Sequence, residues 1–303
     1  MTKQSLSFSL YCDILNSSKN QRTEGLKMTE QEKKNQQYSL VVKSNDLIRQ
    51  SRFSLSLTEQ KILLYLISKI KPEDKEFKRY EFDIKQFCEI CNIEYMQSLS
   101  QLKEVVKNLR DKSIWIHIDE ETESLVSWIN KAYLKTGTGK IGLQLDSDLM
   151  PYLLQLKSNF TQYELIAVLA LRSKFSLRIY EILKSYEYIG SFSISIEDFR
   201  RMLMLESQYA KVGDLKHYVI DKAIAEINEY TDLLIYYESY RDGRRIAGFK
   251  FSIQKKENWD GEYYAADMYL KERSPSRHKL EKKAKAIRKD IENQTSLFEE
   301  SEK

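Results

Sequence analysis

The stretch from Gly213 to Ile253 constrains the fold more than any other part of the chain. Its first piece, GDLKHYVIDKAIAEINEYT, places Leu215, Val219, Ile220, Ala223, Ile224 and Ile227 at the spacing of one buried helical face. The segments DLLIYYES and IAGFKFSI that follow are rich in aromatic and β-branched residues and read as strands. Between them Asp242-Gly243 is a strong signal for a two-residue hairpin. Arg241, Arg244 and Arg245 surround its tip. A helix followed by a hairpin with a basic tip is the outline of a winged helix. The helix suits a major groove and the tip suits phosphate.

The same grammar occurs once before. Leu57-Thr58-Glu59-Gln60 reads as a capped start to the helix KILLYLISKI, which ends before Pro72. Residues 80–84 alternate as a strand, 85–91 form a short helix and 98–112 a longer one. The runs 114–118 and 125–134 are then expected to pair as a hairpin, and 141–156 closes the unit with a strand and a short apolar turn. In the second unit FTQYELIAVLALRSKF is expected to be helical, and SLRIYEILKSYEYI, FSISI and EDFRRML repeat the order of the first unit. The reading is an α+β chain of two tandem winged-helix domains related by internal duplication, with disordered N- and C-terminal tails. The expected boundaries are a tail over 1–37, domain 1 over 38–156, domain 2 over 157–257, and a basic extension over 258–303.

A chain of 303 residues has room for two domains with cores of their own. Apolar content of 42% and charged content of 31% describe a globular protein, and a net charge of +4 is too small to argue for nucleic acid by itself. No run reaches the apolar length of a signal-peptide core or a spanning helix, so a cytoplasmic location is expected. Three cysteines, Cys12, Cys88 and Cys91, fit a reducing compartment. The purine-rich codons of Glu24-Gly25 lie at ribosome-site distance from Met28, which raises Met28 as an alternative to Met1 as the translation start.

Motifs for chemistry are absent. There is no GxxxxGK[ST], no G-x-S-x-G and no His-rich metal motif. Gly137-Thr138-Gly139-Lys140 lies between strands rather than before a helix and reads as a turn. Cys88-Glu-Ile-Cys91 has no second ligand pair and reads as two core thiols one helical turn apart. Glu226 and Glu229 read as the solvated side of a helix. The expectation is no enzymatic activity, no cofactor and no metal.

Charge divides the candidate contacts. Lys211, Lys216, His217 and Tyr218 lie at the start of the second long helix, where helix-turn-helix proteins reach base edges, and Lys222 lies one turn later. Asp214, Asp221, Glu226 and Glu229 balance that helix, so bulk affinity is assigned to Arg241, Arg244 and Arg245, to Arg172, Lys174 and Arg178, and to the basic tail. From Lys271 to Asp290 nine Lys or Arg stand against three Asp or Glu. The first hairpin instead reads Asp119-Glu120-Glu121-Thr122-Glu123, which phosphate would repel. Domain 1 is therefore expected to touch DNA through Lys103, Lys107, Arg110 and Lys112, with an ordinary solvated helix face as an equal alternative for them.

The runs VVKSNDLI, LTEQKILLYLI, LKEVVKNLRDKSIWI, LDSDLMPYLLQLKSNFTQYEL, SKFSLRIYEIL and DLKHYVIDKAIAEINEYTDLLIYYES, with GRRIAGFKFSI, cover about residues 40–255 in order. In these the chain resembles the iteron-binding plasmid replication initiators with two winged-helix domains. The resemblance implies binding to repeated origin sites, opening of an adjacent AT-rich segment, and recruitment of the host initiator and helicase. It also implies a monomer–dimer equilibrium through domain 1 with repression of the protein's own gene. Carried over by position, Lys216 and His217 would read bases and Tyr218 would touch the backbone, although relatives are richer in arginine there. Gln294-Thr295-Ser296-Leu297-Phe298 looks like a bacterial sliding-clamp-binding peptide, with Leu297 and Phe298 for an apolar pocket and Gln294 for its edge. A winged-helix repressor without initiator activity remains the alternative. A nicking enzyme is disfavoured by the missing metal motif.

Overall fold

The computed structural model describes residues 29–93, 99–135, 137–257 and 263–273, and the described residues from Gln36 onward belong to one compact unit. Helix α1 (Glu30–Gln37) falls within the segment expected to be disordered, which corrects that reading for residues 30–37. A capping box starts it: the Thr29 N–H donates to Glu32 Oε2 at 2.8 Å and the Glu32 N–H to Thr29 Oγ1 at 3.2 Å. At its end Gln36 Oε1 accepts from Tyr65 Oη and Lys69 Nζ, and Gln37 Nε2 donates to the Ile90 carbonyl. Residues 1–28 lie outside the described residues.

Strand β1 (Leu40–Ser44) leads into α2 (Asn45–Gln50), capped by Ser44, and the two-residue β2 (Ser51–Arg52). Helix α3 (Leu57–Ile67) begins at a full capping box between Ser56 and Glu59 and is buried all round, as its near-continuous apolar sequence requires. Strand β3 (Tyr80–Asp83), α4 (Ile84–Ile90) and α5 (Leu99–Asp111) follow as expected. Cys88 and Cys91 are buried, in and just after α4.

The next strands differ from the sequence reading. Strand β4 (Ser113–His117) pairs with β5 (Glu123–Ser127) and, on its other side, with β2, but not with residues 129–134. The chain then changes sheets at Trp128. This side chain is fully buried edge-on against Phe53, with ring centroids 5.1 Å apart, and its carbonyl accepts from the Asp146 N–H. Strand β6 (Ile129–Lys135) pairs instead with β7 (Lys140–Leu145), which pairs with β3. The expected hairpin of 114–118 with 125–134 is therefore two hairpins. A continuous β-prone run concealed the break because nothing in it signals a turn.

After α6 (Met150–Leu153) comes a second correction. Residues 160–164, expected as helix, form β8 (Phe160–Glu164), antiparallel to β1 from Leu40↔Glu164 to Ser44↔Phe160. Thr161 and Tyr163 alternate inward along it. The short α7 (Ile166–Leu169), α8 (Lys174–Ser185), β9 (Ser191–Ser195) and α9 (Ile196–Met202) follow. The long helix consists of α10 (Val212–Leu215), a π-helical turn over Lys216–Asp221, and α11 (Lys222–Tyr230). Strands β10 (Leu233–Asp242) and β11 (Arg245–Lys255) form the second wing. The duplication is one of topology: the sheet orders are β3–β7–β6 and β9–β11–β10. Helix α12 (Tyr264–Glu272) adds Tyr269 against Tyr230 and is preceded by Tyr263, whose ring meets Tyr38.

The β1–β8 pairing crosses the expected boundary at residues 156/157, and buried polar groups secure it. Lys43 Nζ meets Glu181 Oε1 at 2.7 Å with both side chains 1% exposed, and Tyr163 Oη donates to the same oxygen at 2.6 Å. Burial raises the Glu181 pKa, but Lys43 and Arg178 lower it by more, so the carboxylate is held ionised. Arg178 Nη2 donates to the carbonyls of Ile48 and Ser51 at 2.8 Å each. Arg178 is buried, which corrects its assignment to DNA affinity. Nearby, Lys61 Nζ donates to the Leu169 carbonyl at 2.7 Å, and burial pulls its pKa down to about 8.

Lys43→Met leaves the Glu181 carboxylate buried without its cation and is expected to destabilise the chain by about 3–5 kcal/mol. Adding Glu181→Leu should recover part of that loss. Urea unfolding of the single and double variants measures both.

Candidate nucleic-acid interface

The long helix of the second half sorts its residues by face. Leu215, Val219, Ile220, Ala223 and Ile227 are buried, whereas Lys211, His217, Tyr218, Asp221 and Lys222 are exposed and Lys216 half-buried. The π-helical turn spans Lys216 to Asp221, where the candidate base-reading residues lie. Tyr237 on β10 donates its hydroxyl to Asp221, and Lys216 Nζ lies 5.6 Å from the Tyr237 ring centroid. The wing and the reading helix are therefore fixed to each other by side chains.

The second wing projects Arg241, Arg244 and Arg245, all exposed and none paired with a carboxylate among the described residues. The last cross-strand pair is Asp242↔Arg245, so the loop is Gly243-Arg244, one residue later than expected. Gly243 takes φ +57°, which suits glycine at the first loop position. At Gly248 a Cβ would collide with the Ile194 carbonyl and the Tyr240 ring, so glycine is needed where β11 runs beneath that tyrosine.

In the first half Lys103, Lys107 and Arg110 are exposed on α5, opposite buried Val106 and Leu109. Lys112 pairs instead with Glu59 at 2.6 Å, at the start of α3. The acidic tip Asp119–Glu123 does not belong to a wing. Its hairpin is an insertion between α5 and β6, tied back by Arg52 and His117 to Glu123. The topological wing is β6–β7, whose last pair is Lys135↔Lys140. Gly137 and Gly139 turn it at φ +77° and +66°. Lys131, Lys135 and Lys140 are exposed and unpaired with carboxylates among the described residues. The expectation of an acidic first wing is thereby corrected: both wings are basic. The lysines bracketing the Gly137–Gly139 turn were the available signal, obscured by the apparent continuity of β5 and β6.

Other candidates lie apart from the two wings. Arg172 is exposed, but its backbone N–H and Nε face Glu226 at 3.0 and 3.4 Å. Glu226 is buried, which corrects its reading as solvated. Lys174 is half-buried with Nζ 4.9 Å from the Phe175 ring centroid. Gln294, Leu297 and Phe298, and the basic segment beyond Arg273, lie outside the described residues. Among the described residues no group of three or more His, Cys, Asp or Glu could hold a metal, and no helix is long and apolar enough to cross a membrane.

Residues 40–184 match the family model for the first winged-helix domain of initiator replication proteins, and residues 195–253 match the model for the second. The chain belongs to this initiator family. It is 28% identical over 204 residues to a replication initiation protein of Escherichia coli, covering 64% of this chain and 63% of that relative. It is 25% identical over 233 residues to an uncharacterized 27.6 kDa protein of Escherichia coli, covering 72% of this chain and 95% of that one. The crystal structure of Pi initiator protein in complex with iteron DNA superposes with a TM-score of 0.60 at 21% identity, covering 73% of this chain and 99% of that chain. The first-domain match runs through β8 and into α8, the same elements that the structure joins to β1.

Reversing the second wing with Arg244→Glu and Arg245→Glu is expected to weaken binding to all duplex DNA and to reduce the slope of log Kd against log salt by about 2. Lys135→Glu with Lys140→Glu should act in the same direction, whereas Glu120→Gln with Glu121→Gln should not. Fluorescence anisotropy at several salt concentrations separates these outcomes.

Proposed function

We propose that this chain is a plasmid replication initiator. It binds repeated origin sites in duplex DNA through both winged-helix halves, promotes opening of adjacent DNA and recruits the host initiator and helicase, with no enzymatic step of its own. The observation that carries this reading is the recurrence, in both halves of a member of the initiator family, of an exposed polar helix face beside a basic wing. The Pi initiator of similar fold is described as a complex with iteron DNA, which supports repeated sites as the target. A near-balanced helix chooses the sequence and the two wings supply phosphate attraction.

A second mode is favoured by the inserted hairpin. Trp115 and Leu125 are cross-strand partners that are 41% and 54% exposed, on a sheet in which β5 is one of the two edge strands. This apolar pair supports self-association through the first half, and with it binding to a two-fold symmetric site that represses the protein's own gene. The sequence from Gln294 to Phe298 supports sliding-clamp binding. A clamp pull-down unchanged by Leu297→Ala with Phe298→Ala would reject that partner.

Footprinting on the parent plasmid tests the main reading. Protection of several direct repeats beside an AT-rich tract is expected, with a separate two-fold symmetric footprint that Leu125→Arg removes. Protection of a symmetric site alone would make the chain a repressor rather than an initiator.

A further inference from the structure

An aromatic group on the reading helix is left over when phosphate contacts have been assigned to the wings. Tyr218 is 49% exposed in the middle of the π-helical turn. The Tyr209 ring stacks on it, with centroids 6.3 Å and planes 29° apart, and Lys222 Nζ lies 5.1 Å from its centroid. His217 meets it edge-on at 4.7 Å. Tyr218 is thus braced by three neighbours while about half of it stays exposed.

Tyr209 is itself held in place. It lies in the loop between α9 and α10, where Met204 and Tyr209 take φ +55° and +52°, a left-handed conformation uncommon outside glycine. Arg200 spans this loop. Its guanidinium donates to the carbonyls of Gln208 and Tyr209 at 2.5 Å each, and to those of Leu205 and Ala210 at 3.4 and 3.3 Å. Phe175 supports the Tyr209 ring edge-on at 6.4 Å. Arg200 fixes the loop, the loop fixes Tyr209, and Tyr209 fixes the exposed ring of Tyr218.

The braced ring of Tyr218, beside Lys216, His217 and Lys222, is apolar except for its single hydroxyl and lacks the paired donors and acceptors with which a charged or amide side chain reads a base pair. It fits the apolar feature of the major groove, the C5-methyl group of thymine. We propose that Tyr218 reads a thymine methyl in the bound duplex, with Tyr209 and Arg200 as positioning residues. The inference rests on the DNA-binding reading above and replaces a backbone role for Tyr218 with a specificity role.

The test uses the full chain and a duplex that it enriches from a randomised library. Each thymine of that duplex is replaced in turn by deoxyuridine, which removes the methyl alone. Wild-type affinity should fall by about fourfold at one position, the worth of one buried methyl group. In Tyr218→Ala that position should become insensitive while other thymines keep their effect, and Tyr218→Phe should retain the wild-type pattern. Tyr209→Leu and Arg200→Gln should each reduce sensitivity at the same position without changing affinity for random duplex. Equal uracil sensitivity in wild type and Tyr218→Ala would overturn the proposal. Loss of binding in Tyr218→Phe with no thymine-specific effect would also overturn it and make the hydroxyl a phosphate contact. Failure to enrich any duplex would instead overturn the DNA-binding reading on which it rests.

Discussion

The buried contact between Lys43 and Glu181 is the constraint on which the arrangement of the two halves depends. Two opposite charges taken out of water at 2.7 Å gain little net stability, because desolvation offsets much of their attraction. Their geometric demand is strong. Side chains alternate along β1, so a slip of one residue against β8 would turn Lys43 away from Glu181 and leave both charges stranded. Tyr163 adds a second donor to the same carboxylate oxygen, and Arg178 reaches across to the carbonyls that end α2. The pairing therefore has one register, and that register sets where α8 stands against the first half.

From that frame the electrostatics of the interface follow. Each half repeats a helix, a three-stranded sheet and a wing, and both wings end in cations that no carboxylate pairs among the described residues. The acidic tip Asp119–Glu123 of the first half belongs to a separate sheet, where Arg52 and His117 attend to Glu123. Negative charge that looked incompatible with a nucleic-acid surface is thus displaced from the wing. The insertion frees the β6–β7 hairpin for phosphate and leaves the Trp115–Leu125 pair as an apolar face of different use.

Parts of this were legible in the residues. The capped start at Leu57–Gln60, the periodic apolar face of 213–231 and the glycine beside Asp242 are local signals, and each element they mark is present. The Thr29–Glu32 box was passed over in a polar segment read as disordered. The candidate site was legible where its residues are close in sequence, as Lys216, His217, Tyr218 and Lys222 are. It was not legible where a contact joins distant segments. Tyr209 reaches Tyr218 through a left-handed loop held by Arg200, and Tyr237 reaches Asp221 from the next strand. No periodicity marks such pairs.

The sequence by itself determined most of the element types, the order in which they recur and the basic second wing, because these depend on propensity, capping and charge within a few residues of one another. The tertiary structure decided which strands pair. The run from Leu125 to Leu134 has strand propensity throughout, and only burial of Trp128 against Phe53 divides it between two sheets. Phe160–Glu164 is a strand because β1, more than a hundred residues earlier, offers it a partner and an inward place for Tyr163. Arg178 and Glu226 read as surface charges until packing places them in the interior. Pairing and burial are properties of the assembled chain, and they turned an expected acidic wing into a basic one.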